Sequence, residues 1–314
     1  MKPKYMIPLL FAAMMASLAP TVHSATSTKA ATAAAQPTFT TPEEAAAALI
    51  AATRAADRQR IFSIIGPGSS RWLPSGDSET DRKDWTRFLA AYDHKHAINL
   101  AEEGKAILVA GDDDWPFPAP LVRKGNGWIF DSKAGREEVI RRRIGRNELD
   151  AAQTLLAIVD AQREYASEDP DGNGFHDYAR RFISTPGKRD GLYWPVSAGD
   201  NPSPLGPLVG NAARIQTKDG KAAGSGSYHG YRYRLLEAQG QAAPGGAYDY
   251  RVGNKLIGGF AVVAYPQKYG VTGIVTFMTS HDGVVYERDL GPDTERVVLD
   301  MKRFNPNSNW QKKH

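Results

Sequence analysis

The sequence predicts an α+β fold of two small domains. Three observations support this prediction: several short helical segments precede a group of strands, one long amphipathic helical segment follows them, and the last third alternates between apolar and polar residues as antiparallel strands do. With 314 residues and 41% hydrophobic side chains, the chain is long enough to bury two cores. We therefore expect N-terminal helices with a curved antiparallel sheet, and then one long helix packed on an antiparallel β-meander.

The first 24 residues are typical of a secretory signal peptide. Lys2 and Lys4 precede an apolar run at 7–19, and Val22-His-Ser24 forms a small-residue cleavage site. This run is shorter than the roughly 20 residues that span a bilayer, and no later segment is apolar enough to do so. We expect a periplasmic or secreted protein with no transmembrane segment in the mature chain, in which the Ala/Thr/Ser-rich stretch 25–37 is a disordered linker.

The first domain is predicted at 38–145. Thr41, Pro42 and Glu44 form a capping-box start for a helix at 43–56. The further elements are helices at 57–66 and 84–92 and strands at 96–100, 105–109, 117–123 and 127–131. Because of its prolines, the segment 117–123 is expected to be an edge strand or an irregular one.

The second domain is predicted at 146–300, and residues 301–314 are expected to form a tail. A long helix covers 134–166, and Gly145 is expected to break or kink it between the domains. A short helix at 178–183 and an irregular Pro/Gly-rich stretch at 185–210 follow. The expected strands lie at 228–238, 255–265, 271–280 and 284–290, and Asp282-Gly283 indicates a two-residue hairpin between the last two.

The most specific motif is the acidic loop, residues 169–177, which follows the long helix and has the pattern D-x-D-x-N-G-x-x-D. Calcium loops place oxygen ligands at alternating positions in this way, and Gly174 stands where such loops need a sharp turn. The predicted calcium ligands are Asp169, Asp171, Asn173, Phe175 through its carbonyl, and Asp177.

The twelfth position of this motif carries Arg180 where calcium loops have a bidentate Glu. The affinity for calcium would therefore be weak, about 10⁻⁴–10⁻³ M, as in extracellular modules. The alternative is a turn at the end of the long helix, in which Asp177 caps a helix at 178–183.

Composition and motifs limit the chemistry. The chain has no cysteine, which excludes disulfides, thiol catalysis and thiolate metal sites. The formal net charge of +4, or +2 once Lys2 and Lys4 leave, is too small to indicate nucleic acid. The sequence contains no G-x-S-x-G, S-x-x-K, H-E-x-x-H or P-loop motif. We favour a non-enzymatic binding or scaffold protein of the bacterial envelope, whose partner is an unknown envelope protein or a glycan.

The alternative function is a periplasmic hydrolase that uses the loop carboxylates and His229. It requires His229, His281 and the acidic loop to converge in one cleft. A metal pair at His94 and His96 is a weaker possibility, because no third ligand can be identified.

Three further clusters have both a structural and a functional interpretation. The acidic run 112–114 is most simply a solvated turn. The basic cluster at 141–143 with Arg146 is either an ion-paired helix face or a docking site for an acidic partner or a membrane surface. An aromatic group either packs in the core or binds glycans or peptides, and it comprises Trp194, Tyr228, Tyr231, Tyr233, Tyr248 and Tyr250.

Four segments resemble the secreted bacterial family known as domain of unknown function 2950, and the resemblance spans most of residues 40–300. They begin with Gly111-Asp-Asp-Asp-Trp-Pro-Phe-Pro, Gly127-Trp-Ile-Phe-Asp, Ser184-Thr-Pro-Gly-Lys-Arg-Asp-Gly and Tyr228-His-Gly-Tyr. This resemblance implies a fold and export, but no activity.

The second half is also similar to the globular heads of type IV pilins and pseudopilins. Ala161-Gln-Arg-Glu-Tyr165 and Asp282-Gly-Val-Val-Tyr286 carry this similarity. It implies a pilin-like long helix on an antiparallel sheet. It does not imply pilus assembly, because polar residues precede the helix where pilins have a hydrophobic segment with an early Glu.

Overall fold

Two clusters of buried side chains organise the chain from Gln36 onward. The computed structural model describes residues 35–74, 78–102, 104–196, 199, 201–206 and 226–313, so the predicted signal peptide and most of the predicted linker lie outside the described residues. One cluster runs from Ala45 to Phe130 and the other from Ala151 to Phe304. They fall on the two sides of the predicted boundary at 145/146, but residues 36–314 form one compact unit, and the division into two domains stays a prediction.

Four helices belong to the first cluster. They are α1 (Pro42–Arg54), α2 (Arg58–Ile65), α3 (Ser69–Trp72) and α4 (Ser78–His94). The predicted cap of α1 is present: the Thr41 hydroxyl accepts a hydrogen bond from the Glu44 N–H, and the Glu44 carboxylate accepts one from the Thr40 N–H at 3.0 Å. Helix α4 is longer than the predicted 84–92, because its first two turns are polar and show no apolar periodicity.

A five-stranded antiparallel sheet completes the first cluster. Its strands are β1 (His96–Glu102), β2 (Lys105–Ala110), β3 (Trp115–Pro116), β4 (Leu121–Lys124) and β5 (Gly127–Phe130). The order is β1-β2-β4-β5. The start of β2 pairs with β4, and the end of β2 pairs with β3. The segment 117–123 was predicted to be an edge strand or an irregular one. Residues 117–120 are irregular, but the edge position is wrong for β4, which is an inner strand. Pro118 and Pro120 precede β4, so neither removes a hydrogen bond from the ladder.

A single helix, α5 (Ser132–Glu168), connects the two clusters in sequence. Asp131 caps it by accepting hydrogen bonds from the backbone N–H groups of Lys133 and Ala134. The predicted break at Gly145 is wrong, because the helix continues through this residue. Gly145 is exposed, and a helix whose flanking turns are packed tolerates the cost of about 1 kcal/mol that an interior glycine carries. None of the helices in the described part of the chain has the length and apolar character that crossing a membrane requires.

The second cluster lies between α5 and another antiparallel sheet. The elements of this half are β6 (Tyr231–Leu236), β7 (Ala238–Gln239), β8 (Tyr248–Asp249), β9 (Arg251–Val252), β10 (Lys255–Leu256), β11 (Ala261–Pro266), β12 (Val275–Ser280), β13 (Tyr286–Asp289), α6 (Thr294–Asp300) and β14 (Gln311–Lys312). The main sheet has the order β14-β13-β12-β11-β6, and α5 packs on β11 and β12. The α+β class and the helix on a meander are confirmed. The hairpin from β12 to β13 is present, but residues 281–285 connect its strands where a two-residue turn was predicted.

The segment predicted as a helix at 178–183 is extended, so that prediction is wrong. The side chain of Gln162 on α5 accepts a hydrogen bond from the Ala179 N–H and donates one to the Ala179 carbonyl, both at 2.8 Å. The Tyr178 N–H bonds the Leu256 carbonyl. These bonds use the backbone groups that a helix would need. The predicted tail also contributes to the second half, because Phe304 is fully buried and β14 pairs with β13.

Candidate functional site

A cavity of about 460 Å³ opens in the first half of the chain between α4, the β2–β3 turn and α5. We call it the aromatic cleft. It is lined by Ile65, Trp72, Leu73, Asp81, Asp84, Trp85, Arg87, Phe88, Ala91, Ala110, Gly111, Asp112, Asp113, Trp115, Phe117, Pro118, Ala119, Val139 and Arg146. Its volume and its mainly apolar lining are those of small-molecule sites.

Helix α4 supplies one wall of the cleft. Asp81, Asp84, Trp85, Phe88 and Ala91 recur at spacings of three and four residues, so they share one face of the helix. Among the α4 side chains that the structure describes, Phe88 alone is buried. The helix therefore covers the sheet without closing the space beneath it.

Phe88 is the centre of the aromatic lining. Its ring centroid lies 6.0 Å from that of Trp85, 6.0 Å from that of Trp115 and 5.4 Å from that of Phe117. These distances are typical of tilted and edge-to-face ring pairs. On the far side, Gly135 of α5 lets the helix approach Ala119 and Trp72, because a Cβ at this position would lie 2.7 Å from the Ala119 Cβ.

Trp115 forms the open side of the cleft. Its side chain is 43% exposed, and the Arg142 guanidinium lies over its ring at 4.8 Å from the centroid. Arg142 also bonds the Glu138 carboxylate at 2.6 Å, and Arg141 bonds the same carboxylate. Burial opposes ionisation of Glu138, but these two hydrogen bonds outweigh it and hold the pKa of its carboxyl below the ordinary value. Nη1 of Arg142 is buried and has no hydrogen-bond partner within the described part of the chain.

The basic cluster is therefore partly structural. Arg141 and Arg142 are ion-paired to Glu138, as the solvated-face interpretation predicts. Arg143 instead donates to the backbone carbonyls of Trp72 and Pro74. Burial, and then the charge of Arg146, lower the pKa of Arg143. All three arginines of the run 141–143 therefore have partners beside the cleft, a carboxylate for Arg141 and Arg142 and two backbone carbonyls for Arg143.

The acidic run at 112–114 lies exposed at one end of the cleft, and two of its three carboxylates have partners. His94 Nε2 contacts Asp112 at 3.2 Å, and Lys95 Nζ contacts Asp114 at 2.9 Å. The hydrogen bond to Asp114 raises the pKa of Lys95. No ion pair or hydrogen bond reaches the Asp113 side chain from any residue that the structure describes. This end of the cleft therefore carries excess negative charge.

The acidic loop lies at the other end of α5, where Asp169 ends the helix in a left-handed conformation. The Asp169 carboxylate accepts hydrogen bonds from the backbone N–H groups of Gly174, at 2.9 Å, and Asn173, at 3.0 Å. The bond from Gly174 is the main reason why the pKa of Asp169 is lowered. The loop is thus closed by its own hydrogen bonds.

An ammonium group lies among the predicted calcium ligands. Lys255 Nζ donates to the Asn173 side-chain oxygen, lies 4.0 Å from Asp177 Oδ1, and stands 3.6 Å from the centroid of the Phe175 ring. Lys255 therefore supplies a positive charge beside the oxygens that would bind calcium. Among the described residues, no group of three or more histidine and carboxylate side chains is arranged to hold a metal ion. The predicted calcium ligands also include the Asn173 amide oxygen and the Phe175 carbonyl oxygen, which are not histidine or carboxylate groups. The calcium site therefore stays a prediction.

Arg180, at the twelfth position of the motif, does not enter the loop. It bonds Glu237 at 3.0 Å and the Asn254 carbonyl at 3.3 Å. Asp177 caps no helix, because 178–183 is extended. Its carboxylate instead accepts a hydrogen bond from the Asn173 amide at 3.0 Å.

His229 of the hydrolase alternative does not meet the acidic loop. His229 Nδ1 lies 3.0 Å from Asp150, whereas the backbone carbonyl of His281 accepts a hydrogen bond from Arg163. Asp150 and Asp169 are about 28 Å apart along α5, because an α-helix rises 1.5 Å per residue. His229 and the loop carboxylates therefore lie too far apart to share one active site.

His94 and His96 are not on one strand. His94 ends α4 and contacts Asp112, whereas His96 begins β1, stacks on Tyr92 at 3.8 Å and bonds its carbonyl. Each histidine thus has its own partners.

The aromatic group of the second half is mostly enclosed. Tyr231 and Tyr250 are fully buried, Tyr233 and Trp194 nearly so, and Tyr248 is 37% exposed. Burial raises the pKa of the Tyr231 and Tyr250 hydroxyls. The core interpretation therefore holds for most of these side chains.

The aromatic cleft was not predicted from the sequence. Trp72, Trp85 and Trp115 come from separate segments, and no short motif joins them. The signal in the sequence was the aromatic face of the helix predicted at 84–92, together with a tryptophan, Trp115, directly after the acidic run 112–114.

Residues 36–313 match the family model described as "Protein of unknown function (DUF2950)". No curated protein and no solved structure matches the chain. The resemblance to domain of unknown function 2950 is therefore confirmed, and the similarity to pilin heads stays a prediction.

Proposed function

The chain belongs to the DUF2950 family of proteins of unknown function, and we propose that it is an exported, non-enzymatic binding module whose ligand occupies the aromatic cleft. The observation that carries this proposal is an open cavity of about 460 Å³ with five aromatic side chains in its lining. Clefts of this size and character are the usual sites of small ligands.

The accessible rings favour a ligand with a flat or aliphatic apolar group. Trp85 is half-buried and Trp115 is exposed, so both can gain apolar contact when a ligand enters. Contacts between aromatic rings add about 0.5–1.5 kcal/mol each beyond the area that they bury. A small apolar group could thus be held by Trp85, Phe88 and Trp115 without rearrangement of the sheet.

The hydrolase alternative is less well supported. His229 would have to work with Asp150, because the loop carboxylates begin at Asp169, 19 residues further along the chain. The pair does have one feature of functional sites: His229 adopts a left-handed conformation that non-glycine residues seldom take. It lacks an identified nucleophile, and for this reason we favour binding.

A weak structural calcium site remains part of the proposal. The ion would be held by Asp169, Asp171, Asn173, Phe175 and Asp177, and it would have to displace the ammonium of Lys255. Calorimetric titration of the protein with calcium, beside Asp171→Ala, tests this site. Absence of heat and an unchanged melting temperature would remove calcium from the proposal.

Export and the pilin-like second half also belong to the proposal. The basic, apolar and small-residue order of residues 1–24 supports a signal peptide and a periplasmic or secreted location. The packing of α5 on the sheet of β6, β11, β12, β13 and β14 supports a pilin-like arrangement. The partner would then be an envelope protein or a glycan that presents the apolar group to the cleft.

The binding proposal is tested with 2-phenylethanol, a small neutral ligand, observed through the tryptophan indole signals in NMR spectra. We expect the signals of Trp85 and Trp115 to shift and that of Trp310 to stay unchanged. Trp85→Ala should weaken binding at least about tenfold, because it removes a large part of the contact area. Trp310→Ala is the matched control, since this half-buried tryptophan packs against the second cluster. Equal binding by both variants, or no shift in the wild type, would refute the proposal.

A further inference from the structure

We infer that the aromatic cleft selects ligands that carry one positive charge next to an apolar group. This inference rests on the proposed function and adds the chemical class of the ligand. It is carried by the distribution of charge around the cavity, where four carboxylates and two guanidinium groups belong to the lining.

The charges largely balance along the α4 wall. Asp84 lies 3.5 Å from Arg87. Asp81 and Arg146 both act electrostatically on Arg143, which places charges of opposite sign together at that end of the cleft. Neither part of the wall offers an uncompensated charge to a ligand.

The β2–β3 turn is different. Gly111 and Asp114 both have positive φ angles, and this tight turn presents Asp112 and Asp113 to the cavity. Asp112 and Asp114 have His94 and Lys95 as partners, but Asp113 has no such partner in the part of the chain that the structure describes. An open carboxylate therefore stands at the mouth of an apolar cavity.

The ring beside this carboxylate is suited to a cation. Trp115 follows the turn directly and pairs with Ala110 of β2. One of its faces already carries the Arg142 guanidinium at 4.8 Å, and the Glu138 carboxylate bonds that guanidinium. A ligand ammonium near Asp113 would use the same attraction between a cation and an indole. Its apolar part would extend toward Phe88 and Phe117.

The inference is tested by isothermal titration of the full mature protein with phenethylamine, 2-phenylethanol and 3-phenylpropionate. These ligands share a phenyl group and differ in charge. We expect phenethylamine to bind about tenfold more tightly than the alcohol, as one charge pair at an exposed site allows, and 3-phenylpropionate to bind most weakly. Raising the salt concentration from 0.05 to 0.5 M should weaken the amine and leave the alcohol unchanged.

Asp113→Asn assigns the preference to one side chain. It should reduce the advantage of the amine to about twofold or less, while the affinity for the alcohol stays the same. Asp300→Asn is the control, because this exposed residue of α6 undergoes the same change of charge in the other half of the chain.

The possible outcomes separate the two proposals. Equal affinity for amine and alcohol would overturn the charge preference and leave the binding function standing. Tightest binding of 3-phenylpropionate would overturn it in favour of the arginines. If none of the three ligands binds, both the charge preference and the binding proposal fail.

Discussion

Around the aromatic cleft, Trp85 and Trp115 keep part of their rings accessible, whereas Tyr231 and Tyr250 in the second half are fully enclosed. In the second half, α5 covers the sheet and the phenol groups find internal partners: the Tyr231 hydroxyl donates to the Val275 carbonyl, and that of Tyr250 donates to the Gln239 side chain. The comparison teaches that the number of aromatic residues in a segment does not locate a binding surface. What matters is whether the element above them closes the space.

The largest expected effect is on stability. Phe277→Ala removes a nearly fully buried ring from β12 and should lower the free energy of unfolding by about 3–5 kcal/mol. Trp85→Ala should cost only about 1–2 kcal/mol, because its half-buried side chain borders a cavity. Urea unfolding of both variants measures the difference. If the two substitutions cost the same, the contrast between a closed and an open half is wrong.

The second prediction concerns the polar contact that holds the segment after the acidic loop. Gln162→Leu would leave the N–H and the carbonyl of Ala179 without partners in a buried place, and should lower the free energy of unfolding by about 2–4 kcal/mol. Gln153→Leu, at an exposed position of α5, is the matched control and should change it by less than about 0.5 kcal/mol. A similar loss in both variants would show that Gln162 acts through helix propensity and not through this contact.

Much of the fold could be predicted because its signals are local. The cap at Thr41, the helix stop at Gly66 and the β12–β13 hairpin all rest on residues close in sequence. The extended segment after Asp177 could not be predicted, because Gln162 and Leu256 determine it from distant positions. The break predicted at Gly145 was wrong because it relied on local propensity alone. Packing of the helix on both sides of this residue sustains the helix.

The candidate site was less predictable than the fold. The acidic loop has a recognisable spacing, but the Lys255 ammonium beside its oxygens comes from a strand more than 70 positions later in the chain. The aromatic cleft has no motif, since its rings come from α3, α4, β3 and the link between β3 and β4. A cavity is a property of imperfect packing between elements, and sequence periodicity reports only which faces are apolar.

The third prediction concerns the acidic loop of the second half, where the Lys255 ammonium lies among the predicted calcium ligands. Lys255→Met removes the ammonium and keeps most of the apolar side chain. We expect its calcium affinity to rise about tenfold over the wild type, because the ion no longer competes with a tethered cation. Calorimetry with calcium measures this change, and Lys188→Met at an exposed position is the control. Equal calcium affinity in Lys255→Met and the wild type would show that Lys255 does not compete with the ion.

The smallest expected effect is a pH dependence of the acidic loop. The folded-state pKa of Asp169 is lowered, chiefly by the hydrogen bond from the Gly174 N–H. Its contribution to the order of the loop is therefore complete above the ordinary pKa of an aspartate, near pH 4, and is lost as the pH falls through the lower folded-state value. Hydrogen exchange at the Asn173 and Gly174 amides, corrected for the intrinsic rate, should show constant protection from pH 7 to 5 and a loss below pH 4. Asp169→Asn should remove this pH dependence. Protection that stays constant at acid pH would mean that the charge of Asp169 does not order the loop.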